Sequence, residues 1–209
     1  MPKKVEMDEI AVSCFDEETS STESPLLLTE GISTCIAIIL HGRVNRHNFC
    51  AFYHWPGFTD YIRLNIETEG ISAIYNVFIN IEEKIRKKFK ITPSSPIKIT
   101  AITILGGEKK QINEHDELQI SGTEAEVNLL KKYTAEICTE MFEVNPEVNP
   151  VFRNFLTKGA SSIDIQVYVN SVHYQKDSGK FFDQTRKDSR KRKFQETEPD
   201  EACTKIKPL

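Results

Sequence analysis

Between Ile71 and Leu105 the hydrophobic period of the chain changes. Ile71, Ile74, Phe78, Ile81, Ile85 and Phe89 recur at steps of three and four, the repeat of one face of an α-helix. Glu82, Glu83, Lys84, Arg86, Lys87 and Lys88 fill the other face. The basic end lies at the C-terminus, where it complements the helix dipole. Thr92-Pro93 to Pro96 stops this helix. "IKITAITIL" (Ile97 to Leu105) then alternates Ile with Lys or Thr, then Ala. That is a half-buried strand, closed by Gly106-Gly107. A chain that buries a helical stripe and a strand face side by side folds as a mixed α+β domain.

The flanking segments fit this class. Ile32 to Leu40 is Ile-rich and Phe49 to Tyr53 is apolar and aromatic, with the polar "HGRVNRHN" between them. They read as a hairpin, ended by Trp55-Pro56-Gly57. Ser121 to Glu143 reads as a second long helix with Leu130, Tyr133, Ile137 and Met141 as its stripe, and Ser121 with Glu124 as a capping box. "NPEVNPVFRNFLTKG" is expected to hold a short helix ending at Gly159, and Ser162 to Asn170 alternates as a strand. The division is an acidic, Ser/Thr-rich arm over 1–24, a folded domain over 25–180, and a charged tail over 181–209. Within the arm, Ile10 to Phe15 could form a short strand.

Bulk properties exclude several classes. With 27 Lys and Arg against 31 Asp and Glu the net charge is −4, which does not suit a general nucleic-acid binder. Five cysteines, at 14, 35, 50, 138 and 203, form no CxxC pair. This argues against a disulfide framework or a zinc ribbon and for a reducing compartment. No apolar stretch reaches the roughly 18 residues of a membrane span. Lys3 and Lys4 lead into no apolar block, so a secretory signal is not expected and synthesis in a cytoplasm is.

One pair of residues in the hairpin carries potential chemistry. Cys35 follows "TEGIST" and opens the first strand; His54 closes the second. If the strands pair antiparallel, these two ends are neighbours. A nucleophilic cysteine needs a base or backbone donors to gain thiolate character. Small residues before it, Gly31 and Ser33, let amide groups approach a reacting carbonyl. The other reading of the same residues is a packed hairpin, in which Cys50 is a plain core thiol and His54 lies among aromatics.

"TEGISTCIAIILHG…FCAFYHWPG" resembles the bacterial chemoreceptor glutamine deamidases of the CheD family. That family carries a Thr, then small residues ending in a Cys, then an apolar strand, with a His at the end of the next strand before a proline. Thr29 stands six residues before Cys35, His54 nineteen after it, and Pro56 follows. The order of elements is similar from about Leu26 to Lys180: "ITAITILGGE" looks like the family's strand ending in a double glycine, and "SIDIQVYVNSVHYQKDSGK" like its last strands. Residue identity is low, "STC" replaces the usual Gly-Ser-Cys, and the charged tails are foreign to the family. The same Thr–Cys–His arrangement is shared by the catalytic domains of the cytotoxic necrotizing factor and Burkholderia lethal factor groups.

The resemblance implies a CheD-like β-sandwich or mixed-sheet core flanked by two long helices, and a protein-glutamine deamidase with transglutamination as a side activity. Cys35 would be the nucleophile, His54 its base and Thr29 the residue orienting His54. Backbone amides at Ser33 and Thr34 would hold the oxyanion. The substrate would be a protein carrying a target glutamine, plausible in the setting of a bacterial effector or toxin acting on a host protein, and no cofactor or metal is required. The alternative is an inactive CheD-like module that binds or inhibits a partner.

Three further features have functional readings. His41, Arg43, Arg46 and His47 in the hairpin loop, with Trp55, would form a rim contacting an acidic protein surface; a solvated loop is the plainer reading. Arg186, Lys187, Arg190, Lys191, Arg192 and Lys193 form a basic cluster that could engage nuclear import machinery or an anion. His115 and Glu117 lack the companions of a metal site and read as a surface loop.

Overall fold

The two apolar runs that flank "HGRVNRHN" become the central hairpin of the fold. The computed structural model of the protein describes residues 2–15, 24–109, 111–112, 118–120, 122–144, 147–154, 162–177 and 204–206. Its first strands are β1 (Lys3–Lys4), β2 (Ile10–Phe15), β3 (Leu27–Ile32), β4 (Ile36–Val44) and β5 (His47–Trp55). Helices α1 (Asp60–Leu64) and α2 (Ile66–Phe89) follow, then β6 (Lys98–Gly106), β7 (Gln111–Ile112) and β8 (Leu118–Ile120). Helix α3 (Glu124–Met141) precedes β9 (Glu143–Val144), β10 (Val151–Asn154), β11 (Ser162–Val167), β12 (Val172–Asp177) and β13 (Thr204–Ile206).

The strands form two mixed sheets. One runs β1-β3-β11-β12-β13; the other runs β10-β6-β4-β5-β2, with β9 beside β6. A third, small ladder joins β7 and β8. Strands β4 and β5 sit inside the second sheet and are buried on both faces, which is why their letters are apolar almost without a break. One face of the pair, with Ile36, Ile38, Leu40, Ala51, Tyr53 and Trp55, packs on the helices. The other, with Ala37, Ile39, Cys50 and Phe52, meets Leu27, Ile163, Ile165 and Val167 of the opposing sheet. The molecule is therefore an α+β fold in three layers: sheet, sheet, helices.

Helix α2 supplies the outer layer. Ile74, Phe78, Ile81 and Ile85 are fully or almost fully buried along its stripe, each contributing about 1.5–3 kcal/mol by leaving water. Ile71, by contrast, lies partly exposed on the flank. The helix ends at Lys90, whose φ of 51° turns the chain out of the helix. The Arg86 guanidinium ties down the exit, donating to the carbonyls of Thr92 and Ser95 while it pairs with Glu82.

Several expectations are corrected. The segment over 1–24 is not a loose arm through its first part: Lys3–Lys4 forms β1, paired with β3, while the short strand expected over Ile10 to Phe15 is present as β2, paired with β5. "HGRVNRHN" is mostly strand, because Val44 pairs with His47 and leaves only Asn45 and Arg46 as the turn, with Asn45 at a φ of 54°. His41 is buried between the sheets with Nε2 2.9 Å from the Tyr168 carbonyl. Gly42 is there because any side chain would meet the Phe49 ring at 2.7 Å. The segment expected to hold a short helix contains β10, parallel to β6. The first long helix begins at Ile66 rather than Ile71, and α3 is capped at Thr123. Ser121, His115, Glu117, Gly159 and the basic cluster Arg186 to Lys193 lie outside the described residues. Among the described residues no helix is long and apolar enough to cross a membrane.

Candidate active site

The antiparallel register of β4 and β5 sets Ala37 opposite His54. Opposed residues share a face, so His54 projects into the space between the sheets, alongside Ala37. Cys35 precedes β4 by one residue and packs, half-buried, against the same inter-sheet core. A residue two positions from Ala37 is a diagonal neighbour of His54, at a Cα separation of about 7–8 Å. The pairing that the hairpin reading required is thus present, and both side chains belong to the same layer. No hydrogen bond joins the Cys35 thiol to His54 among the described residues.

The third member comes from the other sheet. Thr29, on β3, is buried, and its Oγ1 lies 2.7 Å from the Val5 carbonyl oxygen. The same Oγ1 lies 3.0 Å from His54 Nδ1. A hydroxyl has one hydrogen to give, and a carbonyl can only accept. Thr29 therefore donates to Val5 and accepts from His54, which assigns the imidazole proton to Nδ1. Nε2 is left with its lone pair free to take a proton. Burial pushes the His54 pKa below the ordinary histidine value, against the opposing effects of the Val5 carbonyl and Glu6. The ring is consequently neutral at physiological pH, a base rather than a fixed cation.

The N-terminal segment completes this arrangement. Having left β1, the chain passes Val5, which is fully buried. The Asp8 amide then donates to the His54 carbonyl at 2.7 Å, and the His54 amide donates to the Glu9 carbonyl at 3.1 Å. Next to it Tyr53 donates its hydroxyl to Asp8 at 2.8 Å. Residues 3–9 cross from one sheet to the other directly beside His54. The Val5 carbonyl is a contact of the Thr29–His54 pair that no side-chain motif could reveal, since it is a main-chain atom delivered by topology.

Around Cys35 the backbone is held from the opposite side. The Cys35 carbonyl accepts from Gly107 N–H at 3.0 Å, and the Thr34 carbonyl accepts from Thr123 Oγ1 at 2.8 Å. Gly31, at a φ of 71°, donates its amide to Asp164 Oδ1 at 2.9 Å. Ser33 and Thr34 lie in the bend between β3 and β4. Their amides have no acceptor among the described residues, as amides left for a ligand oxygen would. Burial raises the Cys35 thiol pKa, opposed by the Thr34 hydroxyl and by the cysteine's own amide. The thiol is therefore protonated at rest. Cys50 and Cys138 are buried further, and Cys138 is pushed up to about 12; both are core thiols.

The expected rim is not at this site. Arg43, Arg46 and His47 are exposed at the turn end of the hairpin. Seven paired positions separate that end from Ala37 and His54, or roughly 23 Å of strand. Trp55 is buried, with its ring edge-on to Phe58 at 5.2 Å. Its side chain faces the helices because it is one residue out of phase with His54. Among the described residues no three His, Cys, Asp or Glu side chains gather as metal ligands.

Thr29 and His54 are thus in contact at one end of the inter-sheet layer, and Cys35 borders the same layer. No protein-family model matches this chain, and no curated protein matches its sequence.

Proposed function

We propose that the chain is a cysteine-dependent protein-glutamine deamidase of CheD-like or cytotoxic-necrotizing-factor-like architecture. One observation carries the reading: His54 Nδ1 lies 3.0 Å from Thr29 Oγ1, whose hydrogen is directed at the Val5 carbonyl, an arrangement that assigns the ring proton to Nδ1 and leaves Nε2 as the base on the face that Cys35 shares. In this mechanism the Cys35 sulfur attacks the side-chain carboxamide carbon while His54 Nε2 takes the thiol proton. The amides of Ser33 and Thr34 stabilise the oxyanion. The tetrahedral adduct collapses as His54 returns the proton to the departing nitrogen, which leaves as ammonia. A water molecule, deprotonated by His54, then attacks the thioester; glutamate is released and the thiol regains its proton. Thr29 holds the ring in the tautomer that both half-reactions need. The setting that goes with this chemistry is an effector acting on a host protein.

A second reading has its own observation. The thiol and the imidazole are not hydrogen-bonded, and burial favours the neutral thiol. Both fit a module that has kept the fold for binding a partner and lost the reaction.

The experiment is a comparison of wild type with Cys35→Ser in a cell lysate, with glutamine-to-glutamate conversion mapped by mass spectrometry. Each event adds about 1 Da and requires the thiol nucleophile. Conversion by the wild type alone supports the deamidase. Identical maps for both proteins, with a partner still captured by both, would establish the binding module instead.

A further inference from the structure

The residue that holds the Thr34–Cys35 peptide is Thr123, the N-cap of α3, far from the Thr–Cys–His motif in sequence. Thr123 is fully buried. Its Oγ1 accepts from the Glu108 amide at 3.1 Å and donates to the Thr34 carbonyl at 2.8 Å. Its own amide donates to the Glu108 carbonyl at 2.8 Å. The Thr123 hydroxyl is therefore held in a single orientation, with its one hydrogen committed to Thr34. The next residue of the same loop is clamped as well, by the bond from Gly107 N–H to the Cys35 carbonyl. Gly106 and Gly107 make that approach possible, since a side chain at Gly106 would stand 2.5 Å from the Cys35 carbonyl oxygen.

In a trans peptide the carbonyl and the N–H point in opposite directions. Holding the Thr34 carbonyl toward α3 thus turns the Cys35 amide away from α3. That amide is one of the groups that favour the Cys35 thiolate. We propose that Thr123 is a positioning residue for Cys35: its hydroxyl fixes the 34–35 peptide so that the Cys35 amide serves the sulfur. The inference rests on Cys35 being the nucleophile, but its test needs no substrate.

The test is the pH dependence of Cys35 alkylation by iodoacetamide, followed at the Cys35 peptide by mass spectrometry. Thr123→Val removes the hydroxyl and keeps the shape. The midpoint should rise by about 0.5–1 pH unit, with alkylation below it about three- to tenfold slower, as a loosened donor to an ionised group predicts. Thr123→Ser keeps the hydroxyl and should restore the wild-type midpoint. Thr134→Val is the control, a buried hydroxyl of the same helix with no hydrogen-bond partner; its midpoint should not move. Thr123→Ala makes the same test should the valine variant not fold. A wild-type midpoint in a folded variant lacking the Thr123 hydroxyl overturns the proposal, as does an equal shift in Thr134→Val. A shifted midpoint in a protein that converts no glutamine would leave Thr123 in its role and remove the deamidase reading alone.

Discussion

Replacing Thr29 by valine deletes one hydroxyl and leaves the outline of the side chain unchanged. That hydroxyl makes two buried bonds, 2.7 Å to the Val5 carbonyl and 3.0 Å from His54 Nδ1. Without it each partner is left unsatisfied, at about 1–3 kcal/mol per buried group. The Val5 carbonyl already acts on His54 directly, so the imidazole N–H can turn to it and recover part of the loss. The expected destabilisation is therefore near the low end, about 2 kcal/mol, or a fall in Tm of roughly 4–8 °C for a chain of this size. Thr29→Ser keeps the hydroxyl and loses a methyl group, about 1 kcal/mol. Thermal unfolding followed by circular dichroism separates the two. Nitrogen-15 spectra of the histidines supply the second readout: wild type should show His54 protonated at Nδ1, and Thr29→Val should lose part of that preference. Activity on a glutamine substrate should drop about 10- to 100-fold, part of what a general base contributes. A Tm within about 1 °C of wild type, or a wild-type His54 carrying its proton on Nε2, would refute the reasoning.

Two other outcomes follow from the same contacts. His41 and His54 both hold protons less tightly in the folded chain than an ordinary histidine, because burial penalises the cation. The unfolded chain therefore binds more protons in the window below about 6.5, so stability is full above that pH and falls as the pH drops through the folded-state values; urea midpoints that stay level or rise on acidification contradict this. Gly106→Ala introduces a side chain 2.5 Å from the Cys35 carbonyl and 3.1 Å from Ile32 Cγ2 at a φ of 106°. It should cost about 1–3 kcal/mol or more and alter Cys35 alkylation, and a variant with wild-type Tm and alkylation rate would show that the loop tolerates displacement.

The α+β class was legible because the signals behind it are local. The stripe of α2 and the alternation of β6 are periodicities within one segment, and both elements are present with ends shifted by a few residues. The antiparallel pairing of β4 with β5, which sets Ala37 opposite His54, was legible for a related reason: a hairpin brings the ends of its own strands together. What escaped was everything that depends on distant partners. No strand was expected over Leu27 to Gly31, yet Leu27–Ile32 is one because β11 pairs with it. Val151–Asn154 has prolines before it and looks like a helix start, yet β6 draws it into a parallel strand. His41 and Arg43 look alike as polar letters in a loop, and only the sheet decides that one is buried and the other exposed. Trp55 looked available because its neighbour His54 is part of the site, but adjacent strand residues face opposite ways. Val5 and Thr123 carry no motif: one acts through its main chain, the other through a hydroxyl whose partners lie 15 and 89 residues away.

The pairing of β3 with β11 has a consequence for how the molecule is made. Thr29, Cys35 and His54 all lie within the first 54 of 209 residues, but the strand that carries Thr29 is held in its sheet by Ile163 to Val167. The apolar layer that closes over the three also draws on Val169, Val172 and Tyr174. Pairings this distant in sequence are late events in folding, since the loop must close before the contact rewards it. A nascent chain has all three side chains in hand while most of its length is still unsynthesised, but not the arrangement that brings Thr29 to the ring. Any product truncated before β11 would keep the thiol and the imidazole yet lack the sheet that sets Thr29 beside the ring.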